Sequence, residues 1–166
     1  MNYKIRGMLE ADWEQVRDIY IEGIKSGNAT FETKVPDWEM WNTAHVKTCR
    51  LVVECETKVV GWVALSPVSS RSVYAGVAEV SIYLAQDYCG KGIGVRLLKE
   101  LIRCSEERGF WTLQSGIFPE NAASLALHRK CGFREVGINK KLGKMNNGIW
   151  RDVVKVERRS KVAGTD

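Results

Sequence analysis

Histidine and proline are scarce in this chain, no apolar run is long, and the cysteines fall into no pattern. There are two histidines and five cysteines, the latter at Cys49, Cys55, Cys89, Cys104 and Cys131. No C-x-x-C pair occurs, so neither a zinc site nor a disulfide framework is supported, and a reducing cytoplasm is the expected setting. Four of the cysteines read as small apolar fillers; Cys89 differs because it stands among glycines. No run approaches the roughly 18 apolar residues a membrane span requires. The opening Met-Asn-Tyr-Lys-Ile-Arg has no apolar stretch behind its charge, so export is not expected. The three prolines mark no linker, and neither a repeat nor a low-complexity stretch is present. A single domain over 1–157 is therefore expected, with a basic, flexible tail over 158–166 that carries Arg158, Arg159 and Lys161. Lysine and arginine give a net charge of +5, but elsewhere they are interspersed with Glu and Asp. A nucleic-acid surface would want a contiguous basic face with interleaved aromatics, so nucleic acid is not expected as a partner. A moderate positive balance suits a polyanionic small cofactor.

What the chain does contain is an ordinary globular composition, 166 residues with 45% apolar and 27% charged, enough for one real core. Asn2 to Arg6 alternates as an opening strand. Asp12 with Gln15 makes a capping-box-like start to a helix carrying Trp13, Val16, Ile19, Tyr20 and Ile24. Pro36-Asp37 opens a second helix with Trp38 and Trp41. Arg50 to Glu56 and Val59 to Leu65 read as a hairpin, followed by a polar loop over 66–72. From Ala78 to Leu84 the alternation is strict, with Val80, Ile82 and Leu84 on one face and Glu79, Ser81 and Tyr83 on the other. A helical stripe of Val95, Leu98, Leu101, Ile102 and Ser105 ends at Gly109. A strand over 110–118, a helix from Asn121 to Cys131-Gly132, and strands over 133–138 and 149–156 complete the chain. The order β-α-α-β-β-β-α-β-α-β-β points to an α/β domain on a central mixed sheet.

Gly90-Lys-Gly-Ile-Gly94 lies between strand and helix and is the most informative segment. Glycines there let backbone N–H groups approach an anion, and the helix N-terminus adds favourable partial charge. The loop is neither a dinucleotide fingerprint nor a P-loop, since Lys91 is followed by Gly92 rather than Ser or Thr. A plain turn and helix start is its bland alternative.

Three ordered segments carry a resemblance. Ala78-Glu-Val-Ser-Ile-Tyr-Leu84, then Tyr88-Cys-Gly-Lys-Gly-Ile-Gly94, then Asn121-Ala-Ala-Ser124 through His128 to Gly132-Phe133 resemble the acetyl-CoA core of the GNAT N-acetyltransferase superfamily. Asn28-Ala-Thr-Phe-Glu32, Arg71-Ser-Val-Tyr74 and Gly148-Ile-Trp-Arg-Asp152 resemble its phosphinothricin, methionine sulfoximine and arsinothricin acetyltransferase branch. The resemblance implies the GNAT acyl-CoA fold, a strongly twisted mixed sheet flanked by helices, with acetyl-CoA as co-substrate, no metal, and a homodimer. It implies CoA contacts from Ile82, Tyr83 and Leu84 on the strand, from Gly90, Lys91, Gly92, Ile93, Gly94 and Val95 in the loop, and from Asn121 and Ser124. The family usually has Arg or Gln where Cys89 stands. Asn121 reads equally as a helix N-cap.

Glu79 is the sharpest catalytic candidate. Acyl transfer needs the neutral amine, and deprotonating an α-amino nitrogen two to three pH units below its pKa costs about 3 to 4 kcal/mol. A positioned base contributes about 10²- to 10⁴-fold, a similar magnitude. Carboxylates are unfavourable within strands; an edge-strand, solvated Glu is the alternative. By resemblance His128 occupies the region of the family's tyrosine acid, and a His there serves as acid or proton shuttle. Arg71, Ser72, Val73 and Tyr74 match the family's substrate loop, a guanidinium being suited to a carboxylate or phosphinate. The branch's second arginine is Ser69 here. Phe31, Glu32 and Trp150 are expected to complete the pocket. The reading is acetyl transfer to the α-amine of a small amino acid or glutamate analogue. Its rivals are acetylation of a protein N-terminus or polyamine, and a non-catalytic CoA-binding regulatory module.

Overall fold

A central sheet ordered β1-β2-β3-β4-β5-β7-β6 organises the computed structural model, which describes residues 2–166. In chain order the elements are β1 (Tyr3–Gly7), α1 (Trp13–Lys25), α2 (Trp38–Ala44), β2 (Leu51–Cys55), β3 (Lys58–Pro67), β4 (Val77–Leu84), α3 (Ile93–Glu107), β5 (Thr112–Ile117), α4 (Ala122–Lys130), β6 (Arg134–Lys144) and β7 (Trp150–Arg159). The expected order of strands and helices is the observed one. β4 and β5 are the parallel neighbours; every other pair in the sheet is antiparallel.

Each sheet face is covered by a different helix set. On one side α3 buries Ile93, Leu97, Leu98 and Leu101 against Val53, Val63, Leu65, Val80 and Leu113. Each such leucine contributes about 1.5 to 3 kcal/mol by leaving water. Leu97 is fully buried although the expected stripe omitted it, because a core-facing helix uses adjacent positions as well as the three-to-four spacing. On the other side α1 and α2 pack Val16, Ile19 and Trp41 on Val52, Val59, Trp62 and Ala64. Asp37 caps α2 as expected, its carboxylate accepting the Met40 N–H at 2.9 Å.

The start of α1 differs from the expected capping box. Asp12 accepts two hydrogen bonds from the Arg6 guanidinium, at 2.7 and 2.8 Å, and one from the Leu9 N–H at 2.8 Å. Gln15 accepts the Val59 N–H at 2.9 Å. A bidentate guanidinium partner outcompetes a local cap, so both side chains tie α1 to the sheet. The Arg6 partnership holds the Asp12 carboxyl below its ordinary range, against the opposing effect of burial.

β6 runs to Lys144, well past the expected end at Ile138, and is bulged where Lys141 takes a positive φ of 44°. Its polar Asn139-Lys-Lys run hid this, since an edge strand can be exposed on both faces. β7 continues through Arg159, beyond the expected domain limit at 157. The following residues are held: Arg159 Nη1 donates to the carbonyls of Ser160 and Ala163 at 2.8 and 2.9 Å, and Ser160 Oγ donates to Glu106. Cys49 and Cys104 are free thiols in contact at 2.8 Å, and burial pushes the Cys49 thiol up to about 12.

Candidate active site

β4 and β5 stay paired only over Val77↔Thr112, Ala78↔Leu113 and Glu79↔Gln114. Beyond Glu79 the strands part. β4 remains bonded to β3 as far as Leu84, while β5 remains bonded to β7 as far as Ile117. Past the last pair a single hydrogen bond among the described residues spans the gap, Ser115 Oγ donating to the Val80 carbonyl at 3.5 Å. A cavity of about 270 Å³ opens at the parting. Its walls come from both strands, from α4, from β7 and from the loop over residues 29–31. Gly116 keeps one wall thin, because a Cβ there would lie 2.9 Å from Val153 Cγ1.

Glu79 lines this cavity at the last paired position of β4, exposed, with no hydrogen bond or ion pair among the described residues. A carboxylate placed there is available to a ligand.

His128 is 1% exposed and also lines the cavity. Its Nδ1 lies 2.8 Å from the Ser124 carbonyl. A carbonyl oxygen only accepts, so Nδ1 carries the proton and Nε2 presents a lone pair. That Nε2 is buried and has no hydrogen-bond partner. Burial lowers the His128 pKa, opposed by the Ser124 bond, so the ring rests neutral. An orphaned buried nitrogen of this kind costs stability and calls for a functional explanation.

Asn121 is the N-cap of α4: Oδ1 accepts the Ser124 N–H at 3.2 Å while Nδ2 donates to the Asn28 carbonyl at 3.1 Å. Both ends of its amide are thus engaged within the chain, and the side chain joins α4 to the loop after α1. Ile82 and Tyr83 line the cavity from β4. The Tyr83 ring stacks on Trp62 and on Tyr20, each at 5.0 Å, and burial raises its pKa. Leu84 packs on the α3 side.

At the end of that strand, Gly90 and Gly92 take φ values of 74° and 79° and turn the chain into α3. Only glycine adopts this region without strain. Arg96 is the first amide there with a backbone acceptor, Gly92 at 3.4 Å. Among the described residues, the N–H groups of Lys91, Gly92, Ile93, Gly94 and Val95 have no backbone acceptor, which is the arrangement an anion requires. Lys91 lies over the Tyr88 ring at 5.4 Å, and Cys89 is exposed.

Most of the expected acceptor-binding set is not brought to the cavity. Phe31 is, packing edge-on to Phe118 at 4.8 Å. Glu32 lines a smaller neighbouring cavity of about 190 Å³. Arg71, Ser72, Val73 and Tyr74 form an exposed turn in which the Arg71 guanidinium covers the Tyr74 ring at 5.4 Å. Trp150 is 53% exposed beneath the Lys144 ammonium. The 71–74 turn does not line the cavity.

Two residues not anticipated from sequence shape the site. Arg151 donates to the Gly27 carbonyl at 2.9 Å and to Asn28 Oδ1 at 2.7 Å, and its guanidinium stacks on Phe118 at 3.9 Å. It fastens the loop after α1 to β7. Lys155 lines the cavity from β7; a lysine inside Val153-Val-Lys-Val156 was the available signal. Among the described residues no group of acidic, His and Cys side chains is placed to hold a metal ion, and no helix is long and apolar enough to cross a membrane.

The geometry has close counterparts among known proteins. The phosphinothricin N-acetyltransferase of Alcaligenes faecalis is 33% identical over 162 residues, covering 93% of this chain and 81% of that protein. A crystal structure of a GNAT superfamily phosphinothricin acetyltransferase from Sinorhizobium meliloti, in complex with AcCoA, matches with a TM-score of 0.88 and 30% identity. It covers 100% of this chain and 92% of the other. The crystal structure of a ribosomal-protein-alanine N-acetyltransferase from Brucella melitensis matches with a TM-score of 0.86 and 34% identity, over 95% and 99% of the two chains. The parted strands lie within residues 11–133, which match the family model described as Acetyltransferase (GNAT) family, and the chain belongs to that family.

Proposed function

We propose that this enzyme transfers the acetyl group of acetyl-CoA to the α-amine of a small amino acid or glutamate analogue of the phosphinothricin, methionine sulfoximine or arsinothricin type. One observation carries the reading: the gap between β4 and β5 holds an unpaired carboxylate, Glu79, and an unpaired basic nitrogen, His128 Nε2. The names of the Alcaligenes and Sinorhizobium relatives supply the acceptor class.

The residues divide the work as follows. The unbonded amides over 91–95 at the start of α3 receive the pyrophosphate of CoA. The free edge of β4 over Ile82, Tyr83 and Leu84 pairs with the pantetheine arm, which leads the thioester into the cavity. Asn121 and Ser124 border that arm from α4. Glu79, through water, takes one proton from the acceptor ammonium. The amine nitrogen then bonds to the thioester carbon, and main-chain N–H groups stabilise the oxyanion. That nitrogen now carries a surplus proton. His128 Nε2 accepts it, and as the C–S bond breaks the same proton passes to sulfur. Because the resting ring is neutral with its proton on Nδ1, His128 acts as a shuttle and not as a stored acid. Phe31 walls the acceptor. Glu32, Trp150 and the 71–74 turn reach it only as second-line contacts from outside the cavity.

The exposed apolar residues Val136, Ile138 and Leu142 on β6, Ile149 in its turn and Trp150 at the start of β7, each at least half exposed, support a homodimer through this edge. A monomer in sedimentation would remove that part. Five free thiols support a cytoplasmic setting.

The test is thiol release from acetyl-CoA over amino acids, phosphinothricin, methionine sulfoximine, arsinothricin, polyamines and an alanine-initiated peptide. The peptide is included because of the Brucella neighbour's name. Glu79→Gln is expected to lower kcat at neutral pH about 10²-fold or more, with the KM for acetyl-CoA little changed. Undiminished turnover in that variant removes Glu79 as the base.

A further inference from the structure

We propose that Lys155 is the residue that recognises the acceptor's oxyanion, so that its charge sets the enzyme's preference for acidic acceptors. The inference rests on the acceptor class given above and names the group that selects it. Four observations carry it.

First, among the described residues the cavity wall holds one basic side chain besides His128, Lys155. Among the described residues Glu79 is the one carboxylate in that wall, and the His128 ring is neutral. Second, that cation has no partner. Among the described residues the Lys155 ammonium makes no hydrogen bond and no ion pair, whereas Arg151 on the same strand is committed to Gly27, Asn28 and Glu120. Lys140, on the edge strand, is likewise taken up by Asp152. Third, the face of β7 that carries Lys155 is partly shielded from water: its same-face neighbour Val153 is 5% exposed and lines the cavity, and Lys155 itself is half-buried. A lysine there gives up β-propensity and solvation. Fourth, the neighbouring strand leaves room for it. Lys155 pairs in register with Gly116, and its Nζ lies 3.7 Å from the point where a Cβ on that residue would sit. The ammonium therefore rests against bare backbone at the parting of the strands, beside the reaction cavity.

The chemistry fits a zwitterionic acceptor. An amino acid offers an amine and an oxyanion on one small frame, and only the amine must meet base and thioester. Glu79 on β4 and Lys155 on β7 give the cavity one wall of each sign. An acceptor held by its oxyanion at Lys155 presents its amine towards Glu79, whereas the reversed pose sets like charges together at both walls. A polyamine or other cationic acceptor is disfavoured at Lys155 by the same repulsion. Arg71, whose guanidinium covers the Tyr74 ring in the exposed turn, does not line the cavity.

The experiment compares wild type, Lys155→Met and Lys155→Arg in steady-state acetyl transfer, with calorimetric binding of phosphinothricin to the free proteins as a readout that needs no turnover. Lys155→Met is expected to lower kcat/KM for acidic acceptors at least tenfold, mainly through KM, and to weaken phosphinothricin binding by a similar factor. Acetyl-CoA KM stays unchanged, and Lys155→Arg restores part of the loss. Amino acid amides, which lack the α-carboxylate, and amino acids with neutral side chains identify which oxyanion is held. The acceptor series whose missing anion abolishes the penalty marks the group. If Lys155→Met acetylates and binds every anionic acceptor within twofold of wild type, the assignment to Lys155 is overturned while the acetyltransferase reading stands. If wild type neither binds nor acetylates any anionic acceptor, both fall.

Discussion

Replacing His128 by Phe separates what the fold needs from what the reaction needs. The ring is 1% exposed and meets Phe133 edge-on at 5.0 Å, so an aromatic of similar shape can occupy its place. Two terms change in opposite directions. The variant loses the Nδ1–H bond to the Ser124 carbonyl, a net cost of about 1 kcal/mol. It also removes the buried, unpartnered Nε2, whose desolvation costs about 1 to 3 kcal/mol in the wild type. The net expectation at pH 7.5 is a gain of about 0 to 2 kcal/mol. For a chain of this length each kcal/mol moves Tm by about 2 to 4 °C. The pH dependence has a definite sign. The folded His128 pKa is lowered by burial, so below about pH 6.5 the unfolded chain binds a proton that the native chain resists. Wild-type stability from this site is therefore complete above that pH and is lost as pH falls through it. The advantage of the Phe variant over wild type should widen between pH 7.5 and 5.5. Urea unfolding followed by circular dichroism at several pH values measures both effects, and kcat should fall about 10²-fold or more with loss of the shuttle. A variant destabilised by 2 kcal/mol or more at pH 7.5, or one with full kcat, would refute the reading of Nε2 as a site kept bare for chemistry.

Two further outcomes test other parts of the structure. Gly92→Ala forces a side chain onto a φ of 79° and should cost about 1 to 2 kcal/mol. It should also raise the KM for acetyl-CoA more than that for the acceptor; equal effects on both would detach the loop from cofactor binding. Asp12→Asn removes the charge from the Arg6 pair but leaves an oxygen for the Leu9 N–H, so a loss of about 2 kcal/mol is expected at pH 7. The Asp12 pKa is lowered in the fold, so that contribution is present above the unfolded value near 4 and fades as pH falls below it. The gap between wild type and variant in denaturant melts should therefore close in acid, and a constant gap would contradict the pairing.

Local pattern was enough for the elements of the fold and much less so for their ends. Strict alternation over 78–84 and the apolar stripe after the glycines belong to β4 and α3, because burial of one face is written into the spacing itself. Element limits depended on partners far away in sequence. Asp12 looked like a cap because the cap motif is local, but Arg6 brings a second guanidinium hydrogen bond that no three-residue motif can display. β6 looked short because its outer half is polar on both faces. That half is a strand because β7 pairs with it, Lys144↔Trp150 being the last pair.

The site divides in the same way. Residues whose placement is set by their own backbone were legible: the glycine turn, Glu79 in an apolar strand, Asn121 before a helix. Residues whose placement depends on which wall they reach were not. Arg71 had the right chemistry within eight residues of Glu79, but it stands on an exposed turn after β3 that does not line the cavity, and sequence distance along a loop says little about placement. Lys155 lies far from Glu79 in sequence and reaches the cavity through two successive pairings, β4 with β5 at Glu79↔Gln114 and β5 with β7 at Gly116↔Lys155. A shift of one residue in the pairing of β7 with β5 would turn Lys155 to the opposite face of the sheet, into the core that Val154 and Val156 now fill. The apolar neighbours that make the lysine conspicuous also make that slip prohibitive, since it would bury an unpaired ammonium. The side chain that gives the cavity its positive wall thus also helps lock the register that places it there.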